Sequence, residues 1–131
     1  MISNKVLIAL GSNIEPEKNL ELAVVELKSR FKVSKRSLWI KTKPIGILDQ
    51  PDFYNGVLIM ETELGMESLK QELKSIENLM GRDRSKPKFG PRLIDLDILI
   101  WNGKVIDNDY YDRDFLQKGV EEILPDFEST S

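Results

Sequence analysis

The stretch Leu93 to Trp101 is an apolar run broken only by Asp95 and Asp97. In a β-strand alternate residues share a face, so two aspartates at i and i+2 project together, about 6.5–7 Å apart along the backbone. This reading turns Ile94, Leu96, Ile98 and Ile100 toward a core and both carboxylates to the opposite side. The chain must then build a sheet with one apolar face and one face left for polar chemistry.

The other elements fit such a sheet. Val6 to Leu10 is a short apolar run that stops at Gly11-Ser12-Asn13, which reads as a buried strand entering a turn. Pro16 suits a first helical turn, and Leu20, Val24, Leu27 and Phe31 follow at helical spacing. Residues 33–42 mix β-branched and aromatic residues with lysines, as a half-exposed strand does. Residues 43–52 contain Pro44, Gly46 and Pro51 and read as a loop. Phe53 to Glu63 alternates as a third strand. Met66 to Met80 reads as a helix with Leu69, Leu73, Ile76 and Met80 inside, ended by Gly81. After the basic loop from Arg82 to Pro91 comes the aspartate strand. The order β-α-β-β-α-β predicts an α+β fold, the ferredoxin-like split βαβ, with an antiparallel sheet and helices on one face. Asn102-Gly103 signals a tight turn, with Lys104 to Ile106 as a short returning strand.

At 131 residues the chain has room for one domain, 1–131. Its 22 acidic and 19 basic residues give a net charge of −3, which argues against a nucleic-acid partner. It has no cysteine, so a reducing, cytoplasmic location fits. It has no histidine either, so any metal must be held by oxygen, which points to Mg²⁺, Mn²⁺ or Ca²⁺. The Val6 to Leu10 run is too short to span a membrane. Nothing in the composition demands more than a monomer.

The aspartate pair is the strongest candidate site. Neighbouring carboxylates repel unless a cation neutralises them, and two divalent ions bridged by carboxylates and phosphates would do so. Alone, Asp-x-Asp is as compatible with two solvated aspartates on an open face. The neighbours change the balance: Arg82, Arg84, Lys86, Lys88 and Arg92 fall in the loop feeding the strand. Guanidinium forks beside metal-binding carboxylates suit a polyphosphate and stabilise charge on a transferring phosphoryl group. A charged solvated loop accounts for the lysines as well. Gly11-Ser12-Asn13 reads better as a tight turn than as a phosphate cradle. Asn55 is either an amide that reads a ligand edge or one satisfied by the backbone. Phe53 is core by default, with stacking as the alternative. Glu77, one turn before Gly81, reads as a solvated helix glutamate.

Four blocks in order then carry a resemblance: Ala9 to Asn13, Asp49 to Asn55, Gly81 to Arg84, and Phe89 to Ile98. Together they are similar to the motifs of the 6-hydroxymethyl-7,8-dihydropterin pyrophosphokinase family. The resemblance implies pyrophosphoryl transfer from ATP to a reduced pterin in folate biosynthesis, with two Mg²⁺ ions. It implies that Asp95 and Asp97 bind the metals and that Arg82, Arg92 and Asp97 serve catalysis. By the same resemblance Glu77, Arg84, Ile98 and Arg113 contact the nucleotide. Thr42, Ile45, Phe53, Asn55 and Phe115 contact the pterin. The sequence departs from the family where Lys43 replaces a proline, where Phe89 replaces a tryptophan, and in a shortened tail. There a Pro-His segment is missing before Arg113, and Tyr110 or Tyr111 stands as the candidate replacement for the histidine's ATP contact. Two alternatives stay open: a catalytically impaired paralogue that only binds pterin or nucleotide, and a ferredoxin-like RNA binder, which the acidic balance opposes.

Overall fold

The computed structural model describes residues 3–81 and 91–128. The chain runs β1 (Asn4–Ser12), α1 (Pro16–Arg30), β2 (Lys32–Arg36), β3 (Ile40–Thr42), β4 (Phe53–Thr62), α2 (Met66–Leu79), β5 (Asp95–Trp101), β6 (Lys104–Val105), α3 (Asp109–Asp112) and α4 (Asp114–Ile123). All pairings are antiparallel, in the order β2-β4-β1-β5-β6, with β3 continuing the β2 side of β4. Taking β2 and β3 as one interrupted strand, this is the expected α+β, ferredoxin-like sheet with a short hairpin added at one edge.

The local signals explain most boundaries. Pro16 occupies the first turn of α1, where its missing N–H costs nothing. Gly81 takes φ 97° just beyond α2, a conformation that favours glycine. Asn102 and Gly103 both have positive φ, 48° and 85°, as a two-residue hairpin requires, and return the chain into β6.

Three features differ from the sequence reading. Gly11 and Ser12 belong to β1 rather than to a turn. The strand expected over 33–42 is broken between Arg36 and Ile40. There the Ser37 hydroxyl, in place of a strand carbonyl, accepts the Val57 N–H at 2.9 Å, and the Trp39 ring fills the space that a Cβ on Gly56 would need. Finally, the pairing of β1 with β5 shifts between Leu7 and Ile8: Leu7 faces Ile100 while Ile8 faces Ile98. Leu99 is the extra residue of a bulge, which bends a strand and changes its phase. Ile100 therefore leaves the face shared by Ile94, Leu96 and Ile98 and joins the opposite one.

The sheet thus has two apolar faces. Val6, Ile8, Leu10, Leu58, Met60, Leu96 and Ile98 pack under α1 and α2, as expected. On the other face Leu7, Val57, Ile59, Leu99 and Ile100 pack against Leu116, Val120 and Ile123 of α4. The two helices of the split βαβ lie on one side, and the tail supplies a third layer that covers part of the other. The spacing 116, 120, 123 is that of a one-sided helix stripe.

Candidate active site

The uncovered part of that second face is where the aspartates emerge. Cross-strand partners share a face, so two rows can be read across the sheet: Val57–Ala9–Asp97 and Asn55–Gly11–Asp95. The central strand contributes only a methyl group and a hydrogen to these rows, and the floor between Asn55 and Asp95 stays low. A Cβ on Gly11 would stand 3.1 Å from Asn55 Oδ1, so the bare glycine also admits the amide.

A hollow of about 180 Å³ opens over these rows. It is lined by the predicted residues Thr42, Ile45, Phe53, Asn55, Arg92, Asp95, Asp97, Arg113 and Phe115, together with Lys43, Asp107 and Asp109. Asn55 Nδ2 donates to Thr42 Oγ1 at 2.7 Å. Among the described residues none donates to Asn55 Oδ1, which leaves an acceptor for a ligand. Phe53 and Phe115 bring two rings to the hollow, one from the start of β4 and one from the start of α4. Arg92 is 8% exposed, and its Nε lies 3.6 Å from Asp95 Oδ1.

A second hollow, about 590 Å³, lies at the edge of β5 away from β1, between that edge, α2 and residues 106–108. It holds the predicted Glu77 and Ile98, with Lys70 and Lys74 on its rim. Glu77 is only 4% exposed, which overturns its reading as a solvated glutamate. Its Oε2 accepts the Leu96 N–H at 2.8 Å. Strand alternation turns the Ile98 amide to the same edge. Asp95, Asp97 and Asp107 line both hollows, so the carboxylates stand where the two spaces meet.

Arg113 lines the first hollow, which also holds Asp95 and Asp97, and its Nη2 lies 3.9 Å from Asp109 Oδ1. Tyr110 and Tyr111 line neither hollow. Tyr110 packs edge-on against Tyr111 and Phe127, and burial first, then the nearby Tyr111 and Glu121, raises its phenol pKa above the ordinary value. Arg82 and Arg84 lie outside the described residues.

Asn13, which the sequence places in a turn and does not mark as a site residue, is 2% exposed and bonded to both Arg92 and the 50–51 segment. Only a long-range contact gives it that importance, so no local signal marks it.

The donor set can be tested against a metal. Among the described residues no group of three or more acidic or histidine side chains converges on one point. Two carboxylates on one strand do not make a resident all-protein cage. They do suit Mg²⁺, which keeps water and shares one or two carboxylates with substrate phosphates.

Fold and site together define an α+β protein with two adjoining ligand spaces that meet at paired carboxylates. Comparison with known proteins makes this specific: the chain belongs to the 7,8-dihydro-6-hydroxymethylpterin-pyrophosphokinase (HPPK) family, whose model matches residues 7–125. It is 38% identical to the 2-amino-4-hydroxy-6-hydroxymethyldihydropteridine pyrophosphokinase of Haemophilus influenzae, over 91% of this chain and 81% of that one. It is 35% identical to the protein of the same name from Bacillus subtilis, over 97% and 82% of the two chains. The folic acid synthesis protein fol1 of Pneumocystis carinii is 41% identical over 79% of this chain, which spans only 14% of that longer protein.

Proposed function

We propose that the two hollows are the two substrate sites of a pyrophosphokinase, joined at Asp95 and Asp97. The family membership makes the chain an ATP-dependent diphosphotransferase of folate biosynthesis. It moves the pyrophosphoryl group of ATP onto the hydroxymethyl oxygen of 6-hydroxymethyl-7,8-dihydropterin and releases AMP. The observation that carries the site assignment is that these carboxylates line both spaces. A group passing between two bound substrates must cross such a boundary.

The pterin takes the first, smaller hollow. Phe53 and Phe115 offer rings to a flat heterocycle, Asn55 Oδ1 accepts from its N–H edge, and Thr42 and Ile45 complete the wall. ATP takes the second, larger hollow, where the β5 edge around Ile98 offers backbone groups to the base and Glu77 keeps that edge in place. Its phosphates then extend toward Asp95 and Asp97. The two carboxylates would hold Mg²⁺, two ions in this reading, which would supply the charge that neutralises the phosphates. Arg92 places positive charge beside the reacting group, with Arg82 assigned the same task from the basic loop, while Arg84 and Arg113 contact the phosphates of the nucleotide. In this reading residues 1–131 form one domain that acts as a monomer, which is supported by a single continuous sheet that runs through both hollows. The absence of cysteine supports a cytoplasmic location.

The experiment is direct. The protein is incubated with ATP, Mg²⁺ and 6-hydroxymethyl-7,8-dihydropterin, and AMP and the pterin diphosphate are measured together. Equal amounts of both, lost on chelation of Mg²⁺, are expected. Pterin binding without AMP would leave only a binding module.

A further inference from the structure

Arg92 and the loop of residues 43–52 reach the first hollow from opposite sides of the chain, and something must hold one in register with the other. Asn13 lies between them and lines neither ligand hollow. Its backbone N–H donates to the Arg92 carbonyl at 3.0 Å, and its Oδ1 accepts the Arg92 N–H at 2.8 Å. This two-bond bridge fixes the backbone from which the Arg92 guanidinium reaches Asp95. On the other side Asn13 Nδ2 donates to Gln50 Oε1 at 2.8 Å and to the Pro51 carbonyl at 3.0 Å. Gln50 Nε2 donates onward to the Ile47 carbonyl at 2.6 Å, inside the loop that carries Lys43 and Ile45 into the hollow.

A primary amide has two donors and one acceptor, and here all are used, toward two separate segments. Neither a hydroxyl nor a carboxylate offers that combination. This amide thereby links two parts of the site wall that lie far apart in sequence. We propose that Asn13 is a positioning residue that sets the spacing between Arg92 and the pterin-side loop, with Gln50 as the strut on the loop side. This rests on the reading of the first hollow as the pterin site. Misplacement of a reacting group by about 1 Å can cost up to about a hundredfold in rate, so Asn13, through its bridge to Arg92, acts on catalysis through geometry alone.

Steady-state kinetics on the full chain test this, with pterin varied at saturating Mg-ATP and then the reverse. Asn13→Ala releases both ends and is expected to raise the pterin KM and lower kcat, each by about tenfold. Gln50→Leu cuts only the loop end. It is expected to raise the pterin KM by about threefold or more while kcat and the KM for ATP stay within about twofold. Thermal melting is followed in parallel, and Gln50→Leu carries the test alone if Asn13→Ala does not fold. A lowered melting temperature with both kinetic constants at the wild-type level would overturn the proposal. A Gln50→Leu defect confined to kcat would overturn it too. Failure of the wild-type chain to consume pterin would instead remove the hollow's assignment, so the two failures are distinguishable.

Discussion

Along β1 the residues on one face shrink from Leu7 to Ala9 to Gly11, and the two ends of that row meet different surroundings. At the Leu7 end, Val57, Ile59, Leu99 and Ile100 are buried under Leu116, Val120 and Ile123 of α4. At the Gly11 end the flanking residues are Asn55 and Asp95, and the space above them is an open hollow. On the proposed reading, the same three strands therefore serve stability at one end and chemistry at the other. The comparison teaches that an enzyme of this size need not assign whole layers to either task. Side-chain volume on one central strand divides a single face between them.

The division predicts opposite phenotypes. Asp97→Ala, at the open end, should lower AMP formation by about a thousandfold while leaving the urea unfolding midpoint unchanged. A variant that unfolds would place the aspartate among the stabilising residues and break the comparison. At the covered end Ile123 is 4% exposed, and Ile123→Ala should cost about 2–4 kcal/mol of stability in urea denaturation. Because α4 also carries Phe115, its pterin affinity should fall modestly, but kcat should persist. An unchanged unfolding midpoint would mean that α4 covers the sheet without stabilising it. The smallest effect belongs to the boundary. Gly11→Ala places a methyl 3.1 Å from Asn55 Oδ1, which the amide can relieve only by moving. Calorimetry should show pterin binding weakened several-fold, Mg-ATP binding unchanged, and stability altered by less than about 1 kcal/mol. Equal weakening of both ligands would put the amide on the wrong side of the carboxylates.

Much of this was legible in the sequence because the signals are local. Pro16, Gly81 and Asn102-Gly103 each impose a backbone conformation by themselves, and the elements begin or end beside them. The Asp95–Asp97 pair follows from the alternation of a strand. What was not legible depends on partners distant in sequence. Glu77 has the look of any exposed helix glutamate until the Leu96 N–H, from the following strand, is brought to it. The break between β2 and β3 depends on the Ser37 hydroxyl meeting Val57, and the phase change that moves Ile100 depends on pairing with Leu7. The stripe Leu116, Val120, Ile123 has helical spacing, but its direction toward the second sheet face is set by the fold, not by the spacing.

The Glu77–Leu96 bond has one more consequence. Over residues 95–98 β5 pairs with β1 on one side, and among the described residues no strand pairs with its other side, since β6 joins it only at Ile100 and Trp101. Unpaired edges invite strands from other chains and are a route to aggregation, which proteins counter with charge and with covering side chains. Here a buried carboxylate occupies one amide of the edge, and Asp95 and Asp97 put charge along it. A strip of backbone that opens onto a hollow is thereby made a poor template for another polypeptide.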